Sequence, residues 1–534
     1  DYDSGSTIVF NGAIYNYKEL KEKYLPNQKF RSNSDTEVLL KLLVNYGYEI
    51  IKELNGMWSF AFYDNLNKKL LISRDRFGQK PLYFLNEKNI FCFSSEVRPI
   101  FNIFPRKKEL DELMLKNFLS KNYLNLGNKT FYKNIKILEP GTNLVFDMNN
   151  KTYKMYKFWN YSSGELKYKN ISEYEDEFEC LFDSSVKLRL RGDQKCALSL
   201  SGGLDSTSIL ASANKQKTNS EIETFTSASS YTNYSEDNWA TIASNYSKNK
   251  NNLIFQNNDN WISELKKAIF VMDSPSYSPA IISYMSLVKS IKERGYKVLL
   301  EGQGADEAIG GYQKYASQYI VKKNNIPSIY KFYKLSKNFN DKDLLFWTLR
   351  FKFPELFNLY RKKNSINKFL RFNLKNIDTR FDITDIRKAL IEDHRNDILP
   401  GLLKYGDNIS MFHSIEARNP YLDYRLVNFL MAIPDNVRYF NYESKYLIRK
   451  YLLKNKYTSI AKRKDKLGYI TPIIKWIIRD RGKILSTIKE ETHLDELLHK
   501  ENFCNLIKGY KGDASQTHYI FKILSTQIWL KQNF

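Results

Sequence analysis

The chain has 534 residues, 42% hydrophobic, 15% aromatic and 27% charged, which implies two to four domains and excludes peptide and small-scaffold classes and wholesale disorder. No apolar run approaches the ~18–20 residues that cross a bilayer, and a soluble protein without a membrane partner is expected. A formal charge of +24 would suit polyanions only if focused on one face.

In chain order, short β-rich runs come first: Ile8 to Phe10, Trp58 to Tyr63, Lys69 to Ser73, Ile90 to Phe93 and Asn143 to Phe146. Apolar spacing predicts helices over Thr36 to Tyr46 and Leu110 to Leu119. Packed sheets with few long helices imply an α+β domain over residues 1–160. The polar stretch Asn160 to Asn170 reads as a linker. A second domain, 171–534, follows with a different rhythm: helix from Ile171 to Leu190, strand from Lys195 to Leu200, helix from Ser206 to Asn214, helix from Ile282 to Glu293 and strand from Lys297 to Leu300. That alternation predicts a parallel sheet covered on both faces, an α/β domain, with a mostly helical part after Ile309. Between Lys322 and Lys375 fourteen basic residues face three acidic ones, interleaved with aromatics. Amphipathic helices with aromatics inward and lysines outward are expected there, and no nucleic-acid motif accompanies them.

Cys92, Cys180, Cys196 and Cys504 are far apart, which argues against a disulfide framework or structural zinc and fits a reducing cytoplasm. Five scattered histidines leave zinc-hydrolase and Ser-His-Asp chemistry without their parts. The first residue is Asp1 and no targeting segment follows it, so the start is expected to be processed or incomplete.

The sharpest chemical feature is Cys196 to Thr207, reading CALSLSGGLDST. An apolar strand, a Gly-Gly turn and a helix start make an anion cradle, because glycines let backbone N–H groups approach an oxyanion at the positive helix end. The Walker lysine is absent. A second strand runs into Glu301-Gly302-Gln303-Gly304-Ala305-Asp306-Glu307 and then Gly310-Gly311, placing carboxylates at a strand's carboxyl end, where open α/β sheets hold ligands. Met411 to Asp423 and Ser444 to Arg449 keep charges among apolar residues, with Lys445 and Arg449 expected to share a helix face.

The Ser-Gly-Gly-Leu-Asp-Ser phrase resembles the loop of the ATP pyrophosphatases (PP-loop). With Gly-Gln-Gly-Ala-Asp-Glu and His-Ser-Ile-Glu-Ala-Arg it resembles the synthetase half of glutamine-dependent asparagine synthetases. Phe10 to Asn16, Ser34 to Glu37, Arg74 to Tyr83 and Phe93 to Glu96 are similar to that family's glutaminase half, an N-terminal-nucleophile fold. The resemblance implies ATP and Mg²⁺ as cofactors, and aspartate, ATP and glutamine or ammonia as small-molecule partners; a homodimer would be compatible with it. It implies Asn11 and Gly12 as oxyanion donors and Asp35 as partner of the glutamine amino group. It implies Leu200, Ser201, Gly202, Gly203, Leu204, Asp205, Ser206, Ser227, Glu301 and Gly302 around ATP, Asp205 and Asp306 on the metal, and Lys445, Glu416 and Gln303 in catalysis.

Three departures stand out. Ala13 replaces a usual Glu, Gln303 replaces a frequent Glu, and no cysteine precedes Cys92, which the apolar run around it marks as packed rather than nucleophilic. The implied reaction is amidation of aspartate through a β-aspartyl-adenylate. Its nitrogen would come from glutamine if a cysteine precedes Asp1, or otherwise from ammonia. Amidation of another carboxylate, such as a surface sugar acid, a ring closure, and a catalytically lapsed scaffold are the alternatives.

Overall fold

A computed structural model describes residues 1–534 except 88–89, 105–107, 163, 217–221, 229–235, 256–258, 323–326, 338, 340, 356–365, 373–384 and 465–470. The chain divides into two compact units. The first comprises Asp1–Asp111, Asn125–Ser163 and Leu422–Asn428, and the second Glu112–Leu124, Gly164–Tyr421 and Phe429–Phe534.

In the first unit, β1 (Thr7–Ile14), β2 (Gly56–Asp64), β3 (Lys69–Arg74), β4 (Tyr83–Glu87), β5 (Ile90–Ser94), β6 (Lys136–Ile137), β7 (Thr142–Asp147) and β8 (Thr152–Lys157) build two antiparallel sheets. Their orders are β1-β2-β3-β7-β8 and β5-β4-β6. The period-two rule sorts the side chains of the larger sheet into two cores. Trp58, Phe60, Phe62 and Leu71 point one way, into a core shared with Leu20, Val38, Leu39, Leu42 and Leu43 of helices Tyr17–Tyr24 and Asp35–Tyr46. Ala61, Ile72, Leu144 and Phe146 point the other way and meet Phe84 and Leu138. The layers are therefore helix, sheet, sheet, a sandwich of the expected α+β type. β2 is apolar on consecutive residues because both its faces are covered. The mostly exposed edge strand β8, TYKMYK, shows no such run; its lysines suit an unpaired edge.

Helix Asp35–Tyr46 starts where its sequence says it should. The Ser34 hydroxyl accepts from the Glu37 N–H at 3.2 Å, and the Glu37 carboxylate accepts from the Arg31 and Ser32 N–H groups. The Ser34 bond satisfies a donor that the helix end would otherwise leave open, and the Glu37 bonds fix the chain that enters it.

The second unit is organised by a parallel sheet of order β11-β10-β9-β12-β13: β9 is Cys196–Ser199, β10 Glu223–Ala228, β11 Asn251–Phe255, β12 Val298–Leu300 and β13 Glu416–Arg418. Two separate helix groups cover it. Helices Ile171–Arg189, Leu204–Lys215, Glu236–Ser247 and Tyr446–Lys454 pack among themselves, as do Trp261–Met272, Ala280–Glu293, Ile398–Phe412 and Ala514–Asn533. The chain leaves β9 towards β10 on one side and returns as β12 on the other. This reversal opens a crevice at the carboxyl ends of β9 and β12.

The stretch after Lys322 departs from expectation. In helices Ser328–Ser336 and Asp341–Lys352, Lys331 and Arg350 are buried, whereas Tyr330, Tyr333 and Phe346, with Phe353 just beyond, are exposed. Lys331 turns inward because its ammonium donates to the carbonyls of Tyr319 (3.1 Å) and Lys322 (3.2 Å), which end helix Gln313–Val321. Those carbonyls lack intrahelical partners. Other parts of the 322–375 stretch lie outside the described residues.

Candidate active site

Leu200 to Gly203 connect β9 to helix Leu204–Lys215. Gly202 has φ +66°, and a Cβ there would stand 2.3 Å from the backbone of Trp239 and Ala240; only glycine fits this turn. The Ser201 hydroxyl lies 3.2 Å from that of Ser206, which also accepts from the Ser201 N–H, so the two serines close the loop. Among the described residues no side chain caps the helix at Gly203. An anion could take that place, because first-turn N–H groups have no intrahelical acceptor.

Asp205 lies in the first turn of this helix and Asp306 in the short helix Ala305–Ile309 after β12. Both converge on Lys445. Its ammonium donates to the Asp205 carboxylate at 2.7 and 2.5 Å and stands 2.6 Å from Asp306 Oδ1. Lys445 is 5% exposed, so two carboxylates share one buried ammonium and the cluster carries a net negative charge. Gly311 makes this approach possible, since a Cβ there would meet Asp306 Oδ1 at 1.9 Å and Lys445 Cε at 2.3 Å.

Lys445 does not share a helix face with Arg449, contrary to expectation. It precedes helix Tyr446–Lys454 in left-handed conformation, φ +53°, a strained state for a non-glycine residue. Arg449 instead braces the loops: its guanidinium donates to the carbonyls of Ser444 (2.8 Å), Ala461 (2.6 Å) and Arg463 (2.8 Å). Arg463 in turn donates to the Gly202 carbonyl at 2.9 Å and lies 5.0 Å over the Trp239 ring. Sequence reasoning missed Arg463 and Trp239, which stand in an ordinary charge run and an ordinary helix. Gly311 was signalled only as one of two adjacent glycines.

Five further residues were expected at the site. Glu301 is 3% exposed, with Tyr284 as a hydrogen-bond partner; burial pushes its carboxyl up to about 7 and the Tyr284 bond opposes this. Gln303 donates from Nε2 to the Tyr405 hydroxyl at 3.2 Å. Ser227, two residues past the Phe225–Ser199 pair, lies level with the Ser201 turn. Leu200 belongs to the core, 1% exposed, and offers no surface to a base. Glu416 is not brought to the cluster. It pairs with Val298 at the start of β12, and its carboxylate accepts from Arg418 Nε at 2.6 Å. Strand β13 runs two more residues before reaching the loop end, roughly 7 Å away.

In the first unit, Asn11 and Gly12 lie on β1 opposite Ser59 and Trp58. Gly12 has φ +152°, and a Cβ would meet the Met57 carbonyl at 2.1 Å. Asp35 Oδ2 accepts from the Ile14 N–H at 2.8 Å, so these three residues gather at the end of β1. Cys92 is half-buried on β5, and burial pushes its thiol up, away from a reactive thiolate.

The family model for asparagine synthase matches residues 177–531, and that for a glutamine amidotransferase domain matches residues 1–159. The chain belongs to the asparagine synthase family. Asparagine synthetase [glutamine-hydrolyzing] 1 of Bacillus subtilis is 29% identical over 549 residues, covering 98% of this chain and 85% of that protein. A putative asparagine synthetase 2 of Methanocaldococcus jannaschii is 31% identical over 316 residues, covering 58% of this chain and 60% of that protein. Among solved structures, the glutamine phosphoribosylpyrophosphate amidotransferase of B. subtilis is similar at 12% identity and a TM-score of 0.21, over 59% of this chain and 57% of that one. The family makes the chain a ligase of the amidotransferase type.

Proposed function

We propose that the second unit is a PP-loop synthetase that amidates the side chain of aspartate to asparagine, using ATP to make a β-aspartyl-adenylate. The observation that carries this reading is the Asp205–Lys445–Asp306 cluster beside the Gly202–Gly203 turn, at the carboxyl ends of two neighbouring strands. A carboxylate is a poor electrophile, so it must first be activated. An oxygen of the acceptor carboxylate attacks the α-phosphorus and pyrophosphate departs. Ammonia nitrogen then attacks the acyl carbon, loses a proton and expels AMP.

The chain's own groups supply the electrostatics. Negative charge grows on the phosphoryl oxygens and the leaving pyrophosphate, where the helix start at Leu204 and the Lys445 ammonium oppose it in a dry site. Two carboxylates already share one cation here, and a pair of carboxylates plus substrate phosphate oxygens is a donor set that suits Mg²⁺; Asp205 and Asp306 would hold it. Bound Mg²⁺ would neutralise phosphate charge. Gln303, tied to Tyr405, is placed to orient the acceptor through its amide. In the first unit, we assign Asn11 and Gly12 to the amide oxygen of glutamine and Asp35 to its amino group.

The test is exchange of labelled pyrophosphate into ATP. Mg²⁺-requiring exchange that depends on aspartate is expected. Exchange with a different acid only would replace the acceptor, and none with any acid would indicate a scaffold.

A further inference from the structure

Helices Ser328–Ser336 and Asp341–Lys352 both pack against helix Gln313–Val321 through one face, burying Leu335 and Leu344. The opposite face of the second helix is apolar and open. Leu345, Phe346 and Leu349, with Phe353 just beyond, recur at helical spacing and are 43–47% exposed. On the first helix Ile329 is 81%, Tyr330 46% and Tyr333 58% exposed. Among the described residues 27 large apolar side chains are exposed, and these seven of them fall within 329–353. A concentration of this kind marks an interaction surface rather than ordinary scatter.

The charge around it identifies the occupant. Of the basic residues described on and beside these two helices, Lys337, Lys342 and Lys352 are exposed and Lys334 is half-buried, against the exposed acid Asp343, while Lys331 and Arg350 are buried; in a chain of formal charge +24 a second copy would bring like charges together. Lys334 and Lys337 lie over the Tyr330 and Tyr333 rings at 5.6 and 4.5 Å, with Lys342 and Lys352 exposed along the second helix. Apolar stems alongside rings and ammonium groups at the rim are the arrangement with which interfacial helices meet anionic headgroups. We propose that the exposed apolar faces of these two helices dock on an anionic lipid surface, lying in the interface without crossing it. The sequence expectation of no membrane partner rested on the lack of a spanning run, which does not bear on an interfacial helix.

The test is sedimentation of the full chain with vesicles. Vesicles of phosphatidylcholine with phosphatidylglycerol should retain at least about ten times more protein than phosphatidylcholine alone, and rising salt should release it. The double variant Leu345→Ser/Leu349→Ser should lose about tenfold of the binding or more, with unchanged circular dichroism and unchanged pyrophosphate exchange. Three outcomes would overturn the proposal: no binding at low salt, equal binding to both vesicle types, or binding that survives the double variant. A lipid-free dimer abolished by the same variant would instead make the face an interface between copies.

Discussion

Lys445 has two duties that separate under mutation. A cation removed from a dry, charge-developing site costs ~10²–10³ in rate, so Lys445→Ala should cut adenylate-dependent turnover by about two decades or more. Lys445→Arg should also be poor, since a planar fork does not replace a compact ammonium between two carboxylates. Burial gives Lys445 a structural duty as well. Lys445→Ala leaves two carboxylates facing each other, 18% and 10% exposed, and stripping a buried ion of its partner costs ~3–5 kcal/mol. Scanning calorimetry should find a lowered midpoint in chelator, partly restored by Mg²⁺ if Asp205 and Asp306 hold it. A midpoint unmoved by chelator or Mg²⁺ would remove the metal from this pair.

Glu301 gives a pH signature of opposite sign to that of a salt-bridged carboxylate. Burial raises its pKa from 4.5 to about 7 in the folded chain. Below about pH 4 the group is protonated in both states and contributes nothing. As pH climbs towards 7 the unfolded chain ionises first, and folding stability falls, by roughly 3 kcal/mol once pH exceeds the folded pKa. Glu301→Gln should therefore match the parent in acid and unfold at higher denaturant above pH 7. Parallel pH profiles for the two proteins would contradict the assignment.

At the scale of elements, two connections depend on absent side chains: the strand-to-helix turn at Gly202 and the helix-to-helix turn at Gly311. Gly202→Ala sets a Cβ 2.3 Å from the backbone of Trp239 and Ala240 at positive φ, where neither a rotamer nor a flexible tip can relieve the clash. It should destabilise by about 2 kcal/mol or more. Gly311→Ala meets side chains instead, Asp306 and Lys445, which can withdraw. Its cost should fall on activity, at least about tenfold, with a smaller change in midpoint. Comparing the two midpoints by thermal denaturation tests that contrast.

At the scale of the whole molecule, the units do not follow the linker. Residues 112–124 belong with the second unit although they precede Gly164. The Lys522 ammonium, on a residue 2% exposed, donates to the Leu119 carbonyl at 2.6 Å and to Asn122 Oδ1 at 3.0 Å. A fragment spanning 164–534 would bury that ammonium without these acceptors. It should melt below the intact chain, and Lys522→Met should narrow the gap, as calorimetry of the fragment pair would show.

Much of this was legible in the residues. Strand–turn–helix order, the Gly-Gly cradle, the acidic loop and the continuous apolar run of β2 are local: period, turn chemistry and helix caps act within a few residues. Asp205, Asp306 and Lys445 were singled out by motif, yet their meeting at one ammonium depends on strand order, which only folding decides. The same holds for the errors. Glu416 sat in a conspicuous phrase, and the register of β13 sets it two residues short of the loop end. Lys331 looked like surface charge until helix-end carbonyls claimed it. Arg463 and Trp239 carried no local signal, because bracing a loop across 261 residues is a property of packing. Sequence thus determined which chemistry the loops could hold, while the tertiary structure decided which charges face each other, since desolvation and distance are set by the fold.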